Sequence, residues 1–295
     1  MTKKALLLIP PLVLLAYFAI SVFRGSNESH SEPQSEARSL NPSSQMPSFD
    51  WQEIIKGLSN HSLSGRIDET SAFGRFMNEI NDLGAPELLD LRDKIASEDM
   101  PEDIRQRLGF QITGSLVRKN PEIALEALSA HLGQTQNQTT SLLLAGFRDW
   151  SKKFPIKAEI WLDRQISAGT FGNNSRGGIS QTRIRFEREM IRTLLNMGED
   201  RPVARLEALP ESERKNVLRG ADTPANRGAY ASLVRRSFSP NEQEREFLRM
   251  AEAARYQRGD AGLDTLLRQI RANEAERALI LRKSQRGSDL HPSGR

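Results

Sequence analysis

"RKNPEIALEAL" (Arg118–Leu128) and "KKFPIKAEIWL" (Lys152–Leu162) share a proline, an alanine three residues later and a leucine seven residues later, at an offset of 34 residues. Proline suits the first turn of a helix, where its missing N–H has no intrahelical partner. Asn120, before Pro121, is a good N-cap. Ala124, Leu128 and Leu132 then fall on one helical face, and Gly133 can stop the helix in a left-handed conformation. In the second copy Pro155 starts the helix. Ala158, Trp161, Leu162 and Ile166 form its apolar stripe, and Gly169 stops it.

Each copy follows another helical pattern. Ile104, Leu108, Ile112 and Leu116 precede the first, and Leu143, Phe147 and Trp150 the second. A third, degraded copy is "DRPVARLEAL" (Asp200–Leu209), preceded by Phe186, Met190, Leu194 and Met197. It keeps Pro202 and Leu209, but Arg205 replaces the alanine. The interval from Pro155 to Pro202 is 47 residues, so a segment is inserted. A period in the thirties built from helix pairs is the mark of an α-solenoid, in which stacking buries stripes that one pair cannot bury alone. An irregular helical domain that uses proline at helix starts gives the same local pattern. Both readings predict an all-α domain, with no sustained two-residue alternation to suggest strands.

The pattern Pro-x-x-Ala-x-x-x-Leu after a Trp-bearing helix resembles the divergent TPR/HEAT-like helical repeats of exported bacterial proteins, over roughly residues 100 to 210. That resemblance implies a scaffold for protein or peptide partners and transfers no catalytic residues.

The chain opens "MTKKALLLIPPLVLLAYFAISVFRGS", two lysines before 19 uncharged residues, Ala5 to Phe23. As a helix these span roughly 28 Å, close to the hydrocarbon thickness of a bilayer. Residues 1–24 therefore read as a signal-anchor that stays in the membrane, or as a signal peptide that is cleaved. Pro10 and Pro11 weaken the anchor, but no Ala-x-Ala site supports cleavage, and we favour the anchor. Lys3 and Lys4 should stay on the cytoplasmic side, which places the body outside, periplasmic in a bacterium; cleavage would leave a secreted protein. Residues 25–48, rich in Ser, Pro, Glu, Asn and Gln, cannot offset the entropy of folding and read as a disordered tether. The folded helical domain is expected over 49–283, with 284–295 a disordered tail. Within it the expected helices are 50–58, 71–82, 86–96, 101–119, 121–132, 139–153, 155–168, 181–197, 202–208, 211–219, 224–237, 241–258 and 262–283.

Several chemistries lack equipment. The chain has no cysteine, which excludes thiol catalysis, disulfides and thiolate metal sites. His30, His61, His131 and His291 are scattered, with no pair at metal-ligand spacing. G-x-S-x-G is absent. "FGNNSRGGIS" (Phe171–Ser180) has P-loop glycine spacing, but Gly178-Ile179 stand where Lys-Ser/Thr must be and no strand precedes it. No cofactor, metal or catalytic residue is therefore assigned.

Charge is uneven. From Arg176 onward there are 24 Lys and Arg, 22 of them Arg, against 17 Asp and Glu. The first 175 residues carry 18 against 21, so net charges of +7 and −3 make up the +4 of the chain. Mixed-sign helices such as "EQEREFLRMAEAARYQR" read as solvated faces laced with i,i+4 pairs. The loop after Gly169 is the candidate binding segment: Asn173, Asn174, Arg176, Arg183 and Arg185 surround an adaptable Gly/Asn stretch, and long loops on repeat frames often lie on a binding face. As an insertion it should touch the core little. The leading expectation is a membrane-anchored, extracytoplasmic helical scaffold without catalytic activity, held to the membrane by its first helix and binding a protein partner. One alternative is an exported hydrolase of a polymer, with unidentified carboxylates. The other is an anionic partner on the basic C-terminal half, where export and the interspersed acids argue against nucleic acid.

Overall fold

The computed structural model of the chain describes residues 49–61, 70–133, 138–172, 179–198 and 200–288. All lie in the compact unit that begins at Met46. Residues 1–48, where the sequence predicts a signal-anchor and a tether, lie outside the described residues. Among the described residues every regular element is helical, and no helix is long and apolar enough to cross a membrane.

Among the described residues thirteen α-helices follow one another: α1 (Trp51–His61), α2 (Ala72–Asp82), α3 (Ala85–Ser97), α4 (Glu102–Lys119), α5 (Pro121–Ala127), α6 (Gln138–Lys153), α7 (Pro155–Ser167), α8 (Gln181–Leu194), α9 (Asp200–Glu207), α10 (Glu211–Leu218), α11 (Arg227–Ser237), α12 (Pro240–Gln269) and α13 (Glu274–Ser288). The three repeat copies with proline form α5, α7 and α9, Pro202 standing at the third residue of the last. In the first, the Asn120 side chain accepts a hydrogen bond from the Ile123 N–H at 3.1 Å. α4, α6 and α8 pack against one another in order. α5 sits on α4 and α6, α7 on α6 and α8, and α9 on α8, α10 and α11. The apolar stripes point where the four-residue spacing puts them. Ile104, Leu108, Ile112, Leu116, Leu143, Phe147, Phe186, Met190 and Leu194 are all buried, as are Ala124, Leu128, Ala158 and Leu162.

Two cores meet at α8. On one side Phe186 joins Phe147, Trp150, Trp161 and Phe171 in an aromatic cluster. Its centroid lies 5.0 Å from Phe147, 5.4 Å from Phe171 and 6.0 Å from Trp161. On the other, Ile184 and Ile191 enter the apolar core of α9 to α13, with Leu206, Val234, Phe247 and Leu266.

Several local expectations are corrected. The first proline helix ends at Ala127 and continues as a single 3-10 turn, Ser129–His131, short of the expected 132. Gly133 is not left-handed. It is required by close approach, since a Cβ there would stand 2.9 Å from the Thr170 carbonyl oxygen. Gly169, at φ +69°, is the left-handed stop after α7. Met197 is exposed beyond the end of α8. "RGDAG" does interrupt α12, as expected: Arg258 (φ −141°, ψ 17°) and Gly259 (φ 61°, ψ −151°) leave the helical region, and a Cβ on Gly262 would lie 2.3 Å from the Ala254 carbonyl oxygen. A second, unexpected break comes at Ile270–Asn273. There Asn273 and Glu276 cap each other's backbone N–H groups at 2.9 and 3.0 Å, and the last helix runs on to Ser288.

The start of the inserted loop is also part of the frame. Phe171 is 3% exposed and packs on Phe186, so shortening the loop from Thr170 would remove a core side chain. An apolar residue two places beyond a left-handed glycine reads as loop in the sequence, because no helical period reaches it.

Candidate functional site: a charged cleft between α7, α8 and α9

The alanine of the first two proline helices is fully buried, and Arg205 occupies the same place in the third. A guanidinium in such a position has to find its counter-charges inside the protein. Two helices, α7 and α8, supply them. The Arg205 Nε donates to Glu187 Oε2 at 2.7 Å, Nη1 to Glu159 Oε1 at 3.2 Å, and Nη2 pairs with Asp163 Oδ1 at 3.1 Å. Only 8% of the Arg205 side chain is exposed, and 2% of that of Glu187.

The spacing behind this arrangement is simple. α7 carries Glu159 and Asp163, α8 carries Arg183 and Glu187, and α9 carries Arg201 and Arg205. Each pair is four residues apart and so lies one turn apart on a single helix face. The three faces enclose an open cleft of about 450 Å³, with Ile166, Ala204, Ala208 and Leu209 as its apolar lining. Burial pushes the Glu187 carboxyl above the ordinary carboxylate range, against the pull of Arg205 and Arg183. The three carboxylates also raise Arg205, outweighing the opposing effect of its burial, so it stays charged. These acids close on a guanidinium, and among the described residues no set of three His, Asp or Glu is arranged to hold a metal ion.

Arg183 is less well served than Arg205. Its Nε is buried without a hydrogen-bond partner, and Glu187 Oε1 lies 3.7 Å away. Arg201, at the mouth, is exposed. A second buried carboxylate, Glu189, leaves α8 on another side. It receives Arg148 in a two-pronged contact at 2.9 and 3.0 Å and Arg192 at 2.6 Å, which ties α6 to α8.

Of the candidate binding residues, Arg183 lines the cleft. Arg185, two positions on, is exposed and is not part of the lining. Asn173, Asn174 and Arg176 lie outside the described residues. His131 accepts a hydrogen bond at Nε2 from Arg92, 2.9 Å away, far along the chain from the cleft. Glu159, Asp163 and Glu187 escaped the sequence reading, and Arg205 appeared there only as the residue that replaces the alanine. The signal that could have found them is the substitution of arginine for a repeated, buried alanine.

Beside the cleft, α7 and its N-cap residue Phe154 present exposed apolar side chains. Phe154 is 51% exposed, Ile156 54% and Ile160 64%, and together they make three of the five exposed large apolar residues described. At 100° per residue, Ile156 and Ile160 project next to Asp163 on the rim, opposite the buried Ala158 and Leu162. The chain matches no protein-family model, no curated protein and no solved structure.

Proposed function

We propose that the chain is an interaction scaffold: solenoid-like stacked helix pairs, held at the membrane by Ala5–Phe23 on a polar tether, with the helical body outside the cytoplasm. The observation that carries this reading is the pair of exposed side chains Ile156 and Ile160 on α7 beside a charged cleft, with exposed Phe154 at the N-cap of that helix. Clustered apolar side chains rimmed by charge are characteristic of protein-binding surfaces. The helix order supports it too, since α5, α7 and α9 line up as the second members of successive pairs. The two outer junctions are bridged by charge: Arg164 to Glu126 at 2.6 Å, and Arg205 to Glu159 and Asp163.

The hydrolase reading would draw on Glu159, Asp163 and Glu187. Against it, each of these acids is held by Arg205, so none stands ready to protonate or attack a bound substrate. Against an anionic polymer on the basic half, many of its arginines are paired inside the fold. Arg235 grips Glu276 at 2.8 Å, and Arg249 grips Glu246 at 2.6 Å.

The test is a pull-down from detergent-solubilised membranes, comparing the wild-type chain with Ile156→Glu/Ile160→Glu. Both positions are exposed, so the variant should melt with the wild type, and it should lose the partner the wild type retains. Equal recovery of every partner by the two chains would overturn the binding face. Recovery of the wild-type chain from the soluble cytoplasmic fraction, with its first residues intact, would overturn the anchored, exported body.

A further inference from the structure

We propose that the corner between α6 and α7 rests on an anionic lipid surface, that of the bilayer to which the chain is tethered, whenever no partner covers it. Phe154, Ile156 and Ile160 enter the headgroup region, and Lys152, Lys153 and Lys157 meet the lipid charge. The inference rests on the anchored body proposed above and goes beyond its protein-binding face, since lipid and a protein partner then compete for one surface.

The lysines carry the argument. All three are exposed, as are the three apolar side chains among them. Residues 150–158 hold three lysines and no acid. The acids on either side are engaged, Asp149 with Lys152 at 3.3 Å and Glu159 with Arg205 at 3.2 Å. Helix electrostatics account for two of the lysines only. Lys152 and Lys153 stand in the last turn of α6, where the macrodipole favours a cation. Lys157 stands in the first turn of α7, where the macrodipole opposes one and no acidic residue compensates.

A protein partner explains Ile156 and Ile160 but not their basic neighbours, because lysine is depleted from protein interfaces. An anionic lipid surface explains both. Phe and Ile side chains bury at the boundary of headgroups and acyl chains, while lysines reach back to the phosphates on long apolar stems. The Lys157 ammonium lies 5.6 Å from the centre of the Phe154 ring, so cation and ring already share the corner. None of the six side chains lines the cleft; they project from a helix corner, which a flat surface can meet. Connectivity favours the contact too. Only the 25 residues 24–48 separate the apolar run 5–23 from Phe49, so a weak surface contact forms at high effective concentration.

The absence of cysteine allows a single label to report on the face. Ile160→Cys, carrying an NBD dye, is placed in the full chain and reconstituted in phosphatidylcholine vesicles with and without phosphatidylglycerol. With phosphatidylglycerol the emission should shift to the blue and be quenched by nitroxide-bearing lipid; without it the dye should stay in water. Raising the salt from about 0.1 M to about 1 M shortens the Debye length from about 10 Å to about 3 Å and should return the dye to water. Lys153→Glu/Lys157→Glu, at exposed positions, should lose the blue shift and keep the melting temperature. A dye on Tyr256→Cys, a site 93% exposed on α12, should show no shift in either vesicle. Equal emission from position 160 in both vesicles, or a shift that survives both salt and the lysine substitutions, would overturn the proposal and leave the scaffold reading standing. An equal shift at position 256 would overturn it too, because the contact would then have no preferred face. A chain that neither vesicle retains would overturn the anchored body along with it.

Discussion

Trp161→Ala should destabilise the fold by about 3–5 kcal/mol, because it empties the centre of the aromatic cluster rather than trimming an edge. The indole is 3% exposed. Its centroid lies 5.7 Å from Phe147, 6.0 Å from Phe186 and 6.3 Å from Trp150, edge-on to the last. These rings come from α6, α7 and α8, so the cavity would open where three helices meet and none could collapse without dragging the others. For a folded region of this size the loss corresponds to a fall in Tm of about 6–20 °C. Trp161→Phe should cost much less than its lost volume suggests. The Trp161 indole N–H is buried without a partner, so the phenyl ring removes an unsatisfied donor along with the carbon atoms. Thermal or urea melts of the two variants beside the wild type are the check. An alanine variant that melts within about 2 °C of the wild type would mean that the ring does not fill the junction of the three helices.

That junction shows what the sequence could and could not reveal. Proline at a helix start and apolar residues every three or four positions depend only on local geometry, so α4 to α8 are legible from Ile104 through Leu194. Phe171 is not, because its burial is decided by where a loop passes and not by any period. The break at Ile270–Asn273 was legible in principle through Asn273 and Glu276, a reciprocal cap, but the apolar stripe on either side masked it. The cleft was the hardest to see. Its six charged residues sit on three helices separated in the chain by loops, and each i,i+4 pair looks like an ordinary solvated pair. Only Arg205 stood out, because it breaks the repeat.

Arg205→Ala restores the residue that both other proline helices carry at this position, and from the repeat alone it would be expected to help. The structure predicts the reverse, a loss on the order of 3–5 kcal/mol at neutral pH, since removing one member of a buried ion pair strands the other. The stranded group is Glu187, 2% exposed, with Arg183 still 3.7 Å away and too far to hydrogen-bond. Asp163, which is 59% exposed, returns to water at little cost. Removing both charges tests the explanation. Arg205→Ala combined with Glu187→Leu leaves no buried charge unpaired and should recover most or all of the lost stability. The pH dependence has a definite sign. Burial raises the Glu187 carboxyl above its ordinary value of 4.5, and Arg205 opposes that rise. Without Arg205 the carboxyl rises further. A carboxyl raised in the folded state contributes stability that is full below its unfolded value and is lost as pH climbs through the folded value. The gap between wild type and Arg205→Ala should therefore be widest at neutral and alkaline pH, and it should narrow on acidification toward 4.5, where the stranded carboxyl is protonated. Urea unfolding of the wild type, the single variant and the double variant across that range decides it. A single variant as stable as the wild type, or a gap that widens as the pH falls, would show that Arg205 is not the counter-charge on which the buried Glu187 depends.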